Sequence, residues 1–353
     1  MALLCSFGCP YTGKSDLPAK SLQSVDQQMG GRFTGEDDSG KTGHMNTASK
    51  LLELNARASR IFAALAADAQ AFQAEVHSIG GAQVVDCGIN TPGGLEAGKH
   101  LAELCLAGLG EVSLTPGTGN SVGVCVRTDQ PVAACLASQY AGWRISQGDY
   151  FAMASGPMRA VAGKEELFDK IGHRETADTL VGVLEASQLP TPEVIAYIAE
   201  SCRVSADRLL LAAAPTTNLA GCLQIAARSV ETGLHKLEQL DFDLGRIVSG
   251  FGEAPLPEPV PDFVEAIGRT NDAILYHSEI TLWVRGDDAS LEEIAPKIPS
   301  SASPDFGRPF AEIFRNYDGD FYKIDPMLFS PAAVRLVNIE TGSTFCAGEK
   351  RGE

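Results

Sequence analysis

The sequence predicts a mixed α/β (α+β) fold in which two packed α/β domains enclose an interdomain cleft. Some segments repeat apolar residues at helical steps of three and four, and others are short apolar runs typical of buried strands. Two segments, 122–136 and 209–223, share one plan of strand, small polar turn and helix, which indicates an internal duplication. We place the first domain at 45–160 and the second at 161–349, with a C-terminal segment able to pack back on the first.

The first 44 residues differ in composition from the rest of the chain. They are rich in Gly, Ser, Asp, Lys and Gln, and they show no apolar periodicity after Leu22. Such a segment cannot offset the conformational entropy lost on folding. We therefore expect a disordered N-terminal extension over 1–44.

The ordered part begins with a helix–strand–helix pattern. An apolar stripe over 51–72 predicts one long helix ended by Gly80 and Gly81, followed by a strand at 82–87 and a helix at 95–109. Further along, Thr191-Pro192-Glu193 is typical of a helix start. The proline-rich 255–261 predicts a stiff connector, after which helix and strand patterns resume and a last strand is predicted at 334–339.

Composition excludes several classes of function. Asp and Glu total 45 against 28 Lys and Arg, a net charge of -17 that disfavours nucleic acid and anionic membrane surfaces as partners. No apolar run approaches the ~20 residues of a membrane span, and no signal peptide is evident, so we expect a cytoplasmic protein. The nine cysteines include no Cys-x-x-Cys pair and are interpreted as reduced, buried packing residues.

Metal and nucleotide motifs are also missing from the sequence. The six histidines are scattered, with no His-x-His or His-Glu-x-x-His, so no metal site is predicted. Gly13-Lys14-Ser15 lacks the upstream glycine and strand of a phosphate loop, and no Gly-x-Ser-x-Gly elbow occurs. We expect no cofactor.

Several small-residue loops follow predicted strands and precede predicted helices, where open sheets commonly bind ligands. Their hydroxyls, amides and exposed peptide groups suit a polar heterocycle, although each loop can equally be an ordinary turn. The candidate binding residues in these loops are Asn90, Gly93, Gly94, Asp129, Gln130, Ser155, Gly156, Thr216, Thr217 and Asn218.

The helix predicted after Asn218 carries a polar row beside its apolar stripe. Gln224, Arg228, Glu231 and His235 share this row. Arg228 and Glu231 can form an ordinary exposed ion pair. If the row faces a cleft, the same pair provides a carboxylate that deprotonates a water and a guanidinium that tunes it.

Several longer motifs, in this order along the chain, resemble the methenyltetrahydromethanopterin cyclohydrolase family. The resemblance spans about 51–348 and leaves the N-terminal extension out. The residues that carry it are Asp86-Cys87-Gly88, 92–98, 134–143, Ser155-Gly156-Pro157, Ala214-Pro215-Thr216, 320–326 and 328–331.

The resemblance implies reversible hydrolysis of a cyclic amidinium to an N5-formyl compound, in the one-carbon metabolism of methanogenic archaea and of methylotrophic bacteria that oxidise formaldehyde. It also implies two α/β domains, a pterin substrate held between them, homo-oligomeric assembly and no metal or redox cofactor. The family's Arg and Glu, three residues apart, match Arg228 and Glu231, which are our candidate catalytic residues.

Three further residues are candidates for contact with the substrate. Glu185 ends an apolar run before a loop and is our second functional acid, or else a buried charge paired with an Arg. Tyr322 and Lys323 can contact the pterin or its tail, or belong to a solvated, salt-bridged segment. Two other functions stay open, a non-catalytic carrier of reduced pterins and a cyclohydrolase acting on methenyltetrahydrofolate.

Overall fold

Two six-stranded sheets with helices packed against them form the core of the chain. The computed structural model describes residues 52–117 and 121–351, and the predicted disordered extension at 1–44 lies outside them. The mixed α/β fold predicted from the sequence is confirmed.

The first sheet is parallel in its middle and antiparallel at its edges. Its strand order is β1-β2-β8-β7-β6-β5; β2, β8 and β7 run parallel, and β1 and β5–β6 pair antiparallel. The central strands β7 and β8 are buried on both faces, which explains their continuous apolar sequences. The strands are β1 Glu75–Ile79, β2 Ala82–Asp86, β5 Trp143–Gln147, β6 Tyr150–Ser155, β7 Leu180–Glu185 and β8 Leu209–Ala214.

The second sheet is mostly antiparallel. Its strand order is β12-β11-β10-β9-β4-β3, and only β10 and β11 pair in parallel. The strands are β3 Gly110–Pro116, β4 Val122–Thr128, β9 Ile247–Pro255, β10 Glu279–Val284, β11 Ala333–Asn338 and β12 Thr344–Gly348.

Ten α-helices lie in the described part of the chain, with a π-helix over Val132–Gln139 and several short 3-10 turns. The α-helices are α1 Leu54–Ala67, α2 Leu95–Cys105, α3 Met158–Ala162, α4 Leu167–Ile171, α5 Pro192–Cys202, α6 Leu219–Ala226, α7 Ser229–Gln239, α8 Phe263–His277, α9 Asp288–Ile294 and α10 Phe310–Asn316.

Each sheet takes strands from both sides of residue 160. The first contains β1 and β2 together with β7 and β8, and the second contains β3 and β4 together with β9 to β12. The two segments of shared strand–turn–helix plan fold as β4 with the π-helix and as β8 with α6, one in each sheet. The sequence division into 45–160 and 161–349 stays a prediction about domains, and the sheets are not divided there.

Two predicted helices are shorter than their apolar stripes. The helix predicted over 51–72 ends at Ala67, and Gln73 has a positive φ of 60°. Gly80 and Gly81, with φ of 57° and 95°, form instead the turn between β1 and β2, because a two-residue hairpin turn of this kind needs positive φ at both central residues. Similarly, the helix predicted to start at 95 ends at Cys105 rather than near 109.

The helix that carries the polar row also differs from the prediction. The single helix predicted after Asn218 is broken into α6 and α7, and Arg228 is the residue that immediately precedes α7. Periodicity did not reveal the break, because the apolar stripe continues in register on both sides of it.

The predicted start of α5 and the predicted connector before α8 are confirmed. Thr191 caps α5, its Oγ1 accepting a hydrogen bond from the Val194 backbone N at 3.4 Å. The segment 256–262 contains no regular element and α8 begins at Phe263. Seven described cysteines are free and six of them buried, whereas Cys346 is exposed on the edge strand β12, contrary to the expected burial. Within the described residues, no helix is both long and apolar enough to cross a membrane.

Candidate active site

Arg228 and Glu231 lie together in the protein interior. Their side chains are 1% and 0% exposed, and Arg228 Nη1 lies 3.6 Å from Glu231 Oε2. This distance makes an ion pair but exceeds that of a hydrogen bond. The interpretation of these residues as an exposed ion pair is therefore wrong, because the pair is buried.

The Glu231 carboxylate is buried, yet its hydrogen-bond acceptors are unused. Neither oxygen has a hydrogen-bond partner among the described residues. Burial raises the pKa of Glu231, and the neighbouring Arg228 partly opposes this rise. A buried carboxylate with unused acceptors and a raised pKa is suited to accept a proton from a bound water.

Arg228 is held in place from three directions. Its Nη1 donates to the Gln139 carbonyl oxygen at 2.6 Å, and its Nη2 donates to Gln224 Oε1 at 3.0 Å and to Ser155 Oγ at 3.3 Å. The Ser155 hydroxyl also lies 3.2 Å from Cys105 Sγ. These contacts fix the guanidinium beside Glu231, since several planar hydrogen bonds restrict its orientation.

Glu185 is a second buried carboxyl group connected to the first. Its Oε1 accepts from Thr216 Oγ1 at 2.7 Å and its Oε2 accepts from Gln224 Nε2 at 3.5 Å. Burial raises the pKa of Glu185, with Arg228 acting in the opposite direction. Gln224 therefore joins Glu185 to Arg228. Three members of the polar row predicted from the sequence, Gln224, Arg228 and Glu231, belong to one buried network.

A cavity of about 210 Å³ opens at Glu185. It lies at the carboxyl ends of the adjacent parallel strands β7 and β8, the position at which the sequence predicted a ligand. Thr216 and Thr217 supply polar groups, whereas Phe151 and Phe263 supply apolar walls. This combination suits a flat heterocycle with its own hydrogen-bond donors.

Glu231 does not line this cavity. It is connected to the cavity through Arg228, Gln224 and Glu185. The sequence analysis considered that the row carrying Glu231 faces a cleft. The structure places Glu231 in the interior instead, because α7 is buried along most of its length.

Tyr140 and His235 were not assigned a role from the sequence. Tyr140 follows the π-helix, and its ring stacks on that of His235 with centroids 5.2 Å apart and an interplanar angle of 15°. The guanidinium of Arg159 also lies over the Tyr140 ring, 5.1 Å from its centroid, and forms an ion pair with Glu165. Gln139 and Tyr140 lie in the 134–143 motif of the family resemblance, which was the available signal.

The loop after β2 is organised by its own residues. Backbone N–H groups of Gly88, Ile89 and Asn90 donate to the buried Asp86 carboxylate at 2.6–2.8 Å. The Asn90 side chain is exposed, so the structure gives it no contact with the Arg228 network.

Gly93 and Asn218 connect this loop to the loop after β8. Asn218 Nδ2 donates to the Cys87 carbonyl at 3.1 Å, and its Oδ1 accepts from Gly221 N at 2.8 Å. A Cβ on Gly93, at φ 66°, would collide with the Cys87 carbonyl oxygen. These contacts support the loop backbone, and substrate contact by either residue stays a prediction.

Two other glycines predicted at the site also serve the backbone. Gly94 precedes α2 as its cap, and Gly156 has a φ of 91° and donates its N–H to the Ser138 carbonyl at 2.8 Å. Of the loop residues proposed from the sequence, Ser155, Thr216 and Thr217 are those that the structure places in the network or at the cavity beside it.

The remaining candidates lie elsewhere. Asp129 and Gln130 line a separate cavity of about 500 Å³ with Trp283, and Asp129 accepts from Ser249 Oγ at 2.8 Å. Lys323 is exposed and pairs with Asp318 at 3.7 Å, as the salt-bridged interpretation predicted. The side chain of Tyr322 is outside the described part of the structure. Over 52–117 and 121–351, no cluster of three or more His, Cys, Asp or Glu residues could hold a metal ion.

An oriented, buried carboxylate–guanidinium pair joined to a cavity at the carboxyl ends of two central parallel strands defines a site for acid–base chemistry on a small heterocycle. The family described as Cyclohydrolase (MCH) matches residues 53–353, and the chain belongs to that family. A protein of Rhodopirellula baltica named methenyltetrahydromethanopterin cyclohydrolase is 47% identical over 305 residues, covering 84% of this chain and 92% of its own.

Relatives of the same name occur in a second bacterium and in an archaeon. The protein from Xanthobacter autotrophicus is 48% identical over 76% of this chain and 80% of its own length. The protein from Methanococcoides burtonii is 44% identical over 76% and 85% respectively. The family resemblance identified from the sequence is confirmed.

Proposed function

We propose that this chain hydrolyses the cyclic amidinium of 5,10-methenyltetrahydromethanopterin to N5-formyltetrahydromethanopterin, reversibly, in one-carbon metabolism. The named relatives and the family match support this activity. The structural observation that carries it is Glu231, a buried carboxylate with two unpartnered oxygens beside a fixed guanidinium.

The substrate needs little activation by the protein. Its bridging carbon is electrophilic because a positive charge is shared between two ring nitrogens. An oriented water and a proton acceptor are therefore the main requirements, and the carbon keeps its oxidation level, so the reaction consumes no redox cofactor. We propose that no metal or cofactor takes part.

Glu231 accepts one proton as the water oxygen bonds to the carbon. The neutral tetrahedral adduct then collapses: the bond from carbon to the second nitrogen breaks, and the protonated Glu231 gives its proton to that nitrogen. The adduct hydroxyl passes its own proton to the Glu231 carboxylate, which leaves the formyl C=O and a protonated Glu231. One water and one cation thus yield a neutral formyl compound and one proton. General acid–base help of this kind contributes roughly 10²–10⁴-fold.

Arg228 acts on both the carboxylate and the developing oxygen. Its positive charge favours the ionised form of Glu231 against the effect of burial. An Nη group that lies 3.6 Å from the carboxylate can also donate to an oxygen that lies beside both groups and contacts each of them. Ser155 and Gln224 keep the guanidinium in position.

Glu185, Thr216 and Thr217 are proposed to bind the pterin. A carboxylate next to hydroxyl groups matches the donor-rich edge of a reduced pterin, and Phe151 and Phe263 can cover its ring. Asp129, Gln130 and Lys323 do not line the cavity at Glu185, so this cavity does not support a role for them in binding the substrate. We also propose a cytoplasmic homo-oligomer that serves one-carbon metabolism as in methylotrophs.

One assay of the purified protein tests the activity against its alternatives. The absorbance of methenyltetrahydromethanopterin and of methenyltetrahydrofolate is followed separately, each with substoichiometric enzyme. We expect catalytic loss of absorbance with the methanopterin compound. Binding without turnover would instead indicate a carrier, and preferential turnover of the folate compound would overturn the substrate assignment.

A further inference from the structure

The overall reaction releases one proton per turnover, and Glu231, the group that accepts it, is buried away from solvent. Glu231 is 0% exposed, and it must be ionised again before the next water is activated. A buried carboxylate that ends each cycle protonated needs a route for that proton, and this requirement rests on the function proposed above.

Helix α7 places three titratable side chains on one face. Glu231, His235 and Glu238 are spaced four and three residues apart, so they follow each other along the helix over about 10 Å. Their exposures are 0%, 4% and 7%, which shows that this face is buried throughout. We propose that His235 and Glu238 carry the reaction proton from Glu231 to the protein surface.

His235 has the chemistry required of the middle position. Its Nδ1 is buried and has no hydrogen-bond partner among the described residues, as is also true of both Glu231 oxygens. A neutral imidazole that accepts a proton at Nδ1 can release the one at Nε2, so it passes a proton on without retaining charge.

The groups around His235 favour its neutral form. Burial lowers the pKa of His235 well below its ordinary range, and the positive charges of Lys236 on the same helix and Lys170 on α4 act in the same direction. Tyr140 covers the ring by stacking and presents no fixed charge. His235 is thus kept in its neutral form, and an accepted proton is readily given up.

Glu238 lies where the row meets a cavity of about 340 Å³ at the C-terminal end of α7. Lys170, whose side chain is 58% exposed, donates to Glu238 Oε1, and Gln239 Nε2 donates to its Oε2 at 2.6 Å. His173 and Asp241 also line this cavity, so titratable groups continue to its mouth. Neither Glu231 nor Glu185 lines it, so this outlet is separate from the cavity proposed for the substrate.

The test follows the proton and the chemistry in the same reaction. Full-length wild type and His235→Phe are mixed with methenyltetrahydromethanopterin in weak buffer, and substrate absorbance and a pH indicator are recorded together. Phe keeps the stacking on Tyr140 but cannot accept a proton. His100→Phe is the matched control, because His100 also stacks on an aromatic ring, Phe72 at 5.0 Å, far along the chain on α2.

We expect the first turnover of His235→Phe to lose absorbance at a rate near that of wild type, because Glu231 starts ionised. Proton release should lag behind it, and steady-state turnover should fall by at least about tenfold with little change in KM. Added imidazole or another small buffer should restore turnover in proportion to its concentration, which a merely structural defect would not allow.

Two results would overturn the route. Synchronous absorbance loss and proton release at wild-type rates in His235→Phe would show that another path is used, and a slow variant that small buffers do not rescue would assign His235 a packing role. If His235→Phe does not fold, Glu238→Gln provides the same readouts at the outlet, and unchanged proton release there rejects the proposal. The wild-type absorbance trace tests the hydrolysis itself, so the two failures are distinguishable.

Discussion

Replacing Glu231 with Gln should separate catalysis from stability. Gln has the same shape but cannot act as a base, so turnover of methenyltetrahydromethanopterin should fall by roughly 10²–10⁴-fold, or about 2.7–5.4 kcal/mol in activation free energy. Substrate affinity should change little, because the contacts at Glu185 remain. Most buried polar substitutions lose hydrogen bonds, but the Glu231 oxygens have no such partner to lose within the described chain.

Stability should therefore not fall in this variant. A carboxyl group whose folded-state pKa is raised destabilises the folded protein at pH values above that pKa, and it becomes less costly as the pH falls toward the pKa of the unfolded chain. Gln removes this cost at pH 8, while Arg228 keeps its contacts with Gln139, Gln224 and Ser155. Thermal unfolding should show an equal or higher Tm, with about 2 °C corresponding to 1 kcal/mol in a chain of this size.

The matched control is Glu103→Gln, which changes a carboxyl group with a raised pKa on α2, outside the Arg228 network. It should leave turnover unchanged. The reasoning is refuted if Glu231→Gln retains wild-type turnover, or if its activity and Tm fall together.

Three further predictions concern the same site and its loops. In Arg228→Gln, the acid limb of the kcat/KM profile should move to higher pH, because the positive charge no longer favours ionised Glu231; an unmoved limb would separate the two groups. Glu185→Gln should raise KM about tenfold or more while changing kcat less, the loss expected for a hydrogen bond to a charged group; a change confined to kcat would contradict its binding role. Gly93→Ala should lower the Tm clearly more than Gly148→Ala, since both have positive φ but only Gly93 faces a backbone oxygen; equal losses by calorimetry would show that φ alone matters.

Local chemistry made some elements predictable. The Thr191-Pro192-Glu193 start of α5 and the proline-rich connector are determined by capping and by the restricted backbone of proline, both of which act within a few residues. The extent of α1 was not predictable in this way. Its apolar stripe continued past Ala67, but residues 68–73 form turns before β1 begins, and Gln73 has a positive φ.

The candidate site was also predictable only where local spacing determines it. The polar row of Gln224, Arg228, Glu231 and His235 follows from helical spacing, and its members do meet one network or its immediate surroundings in the folded protein. Helical spacing could not predict that the row faces the interior, because the exposure of the row depends on which elements pack against α7. The contribution of Gln139 through its backbone carbonyl had no side-chain signal at all.

Interleaving of the strands has a consequence for how the chain is made. The first sheet needs β8 between β2 and β7, and the second needs β9 beside β4, so neither sheet can be completed while only its early strands have left the ribosome. Strands β3 and β4 must wait more than a hundred residues for their neighbour, with an unpaired edge open to other chains during that interval. Synthesis should accordingly be the most aggregation-prone stage in the life of this protein, and early termination before residue 247 should yield insoluble fragments rather than a folded half.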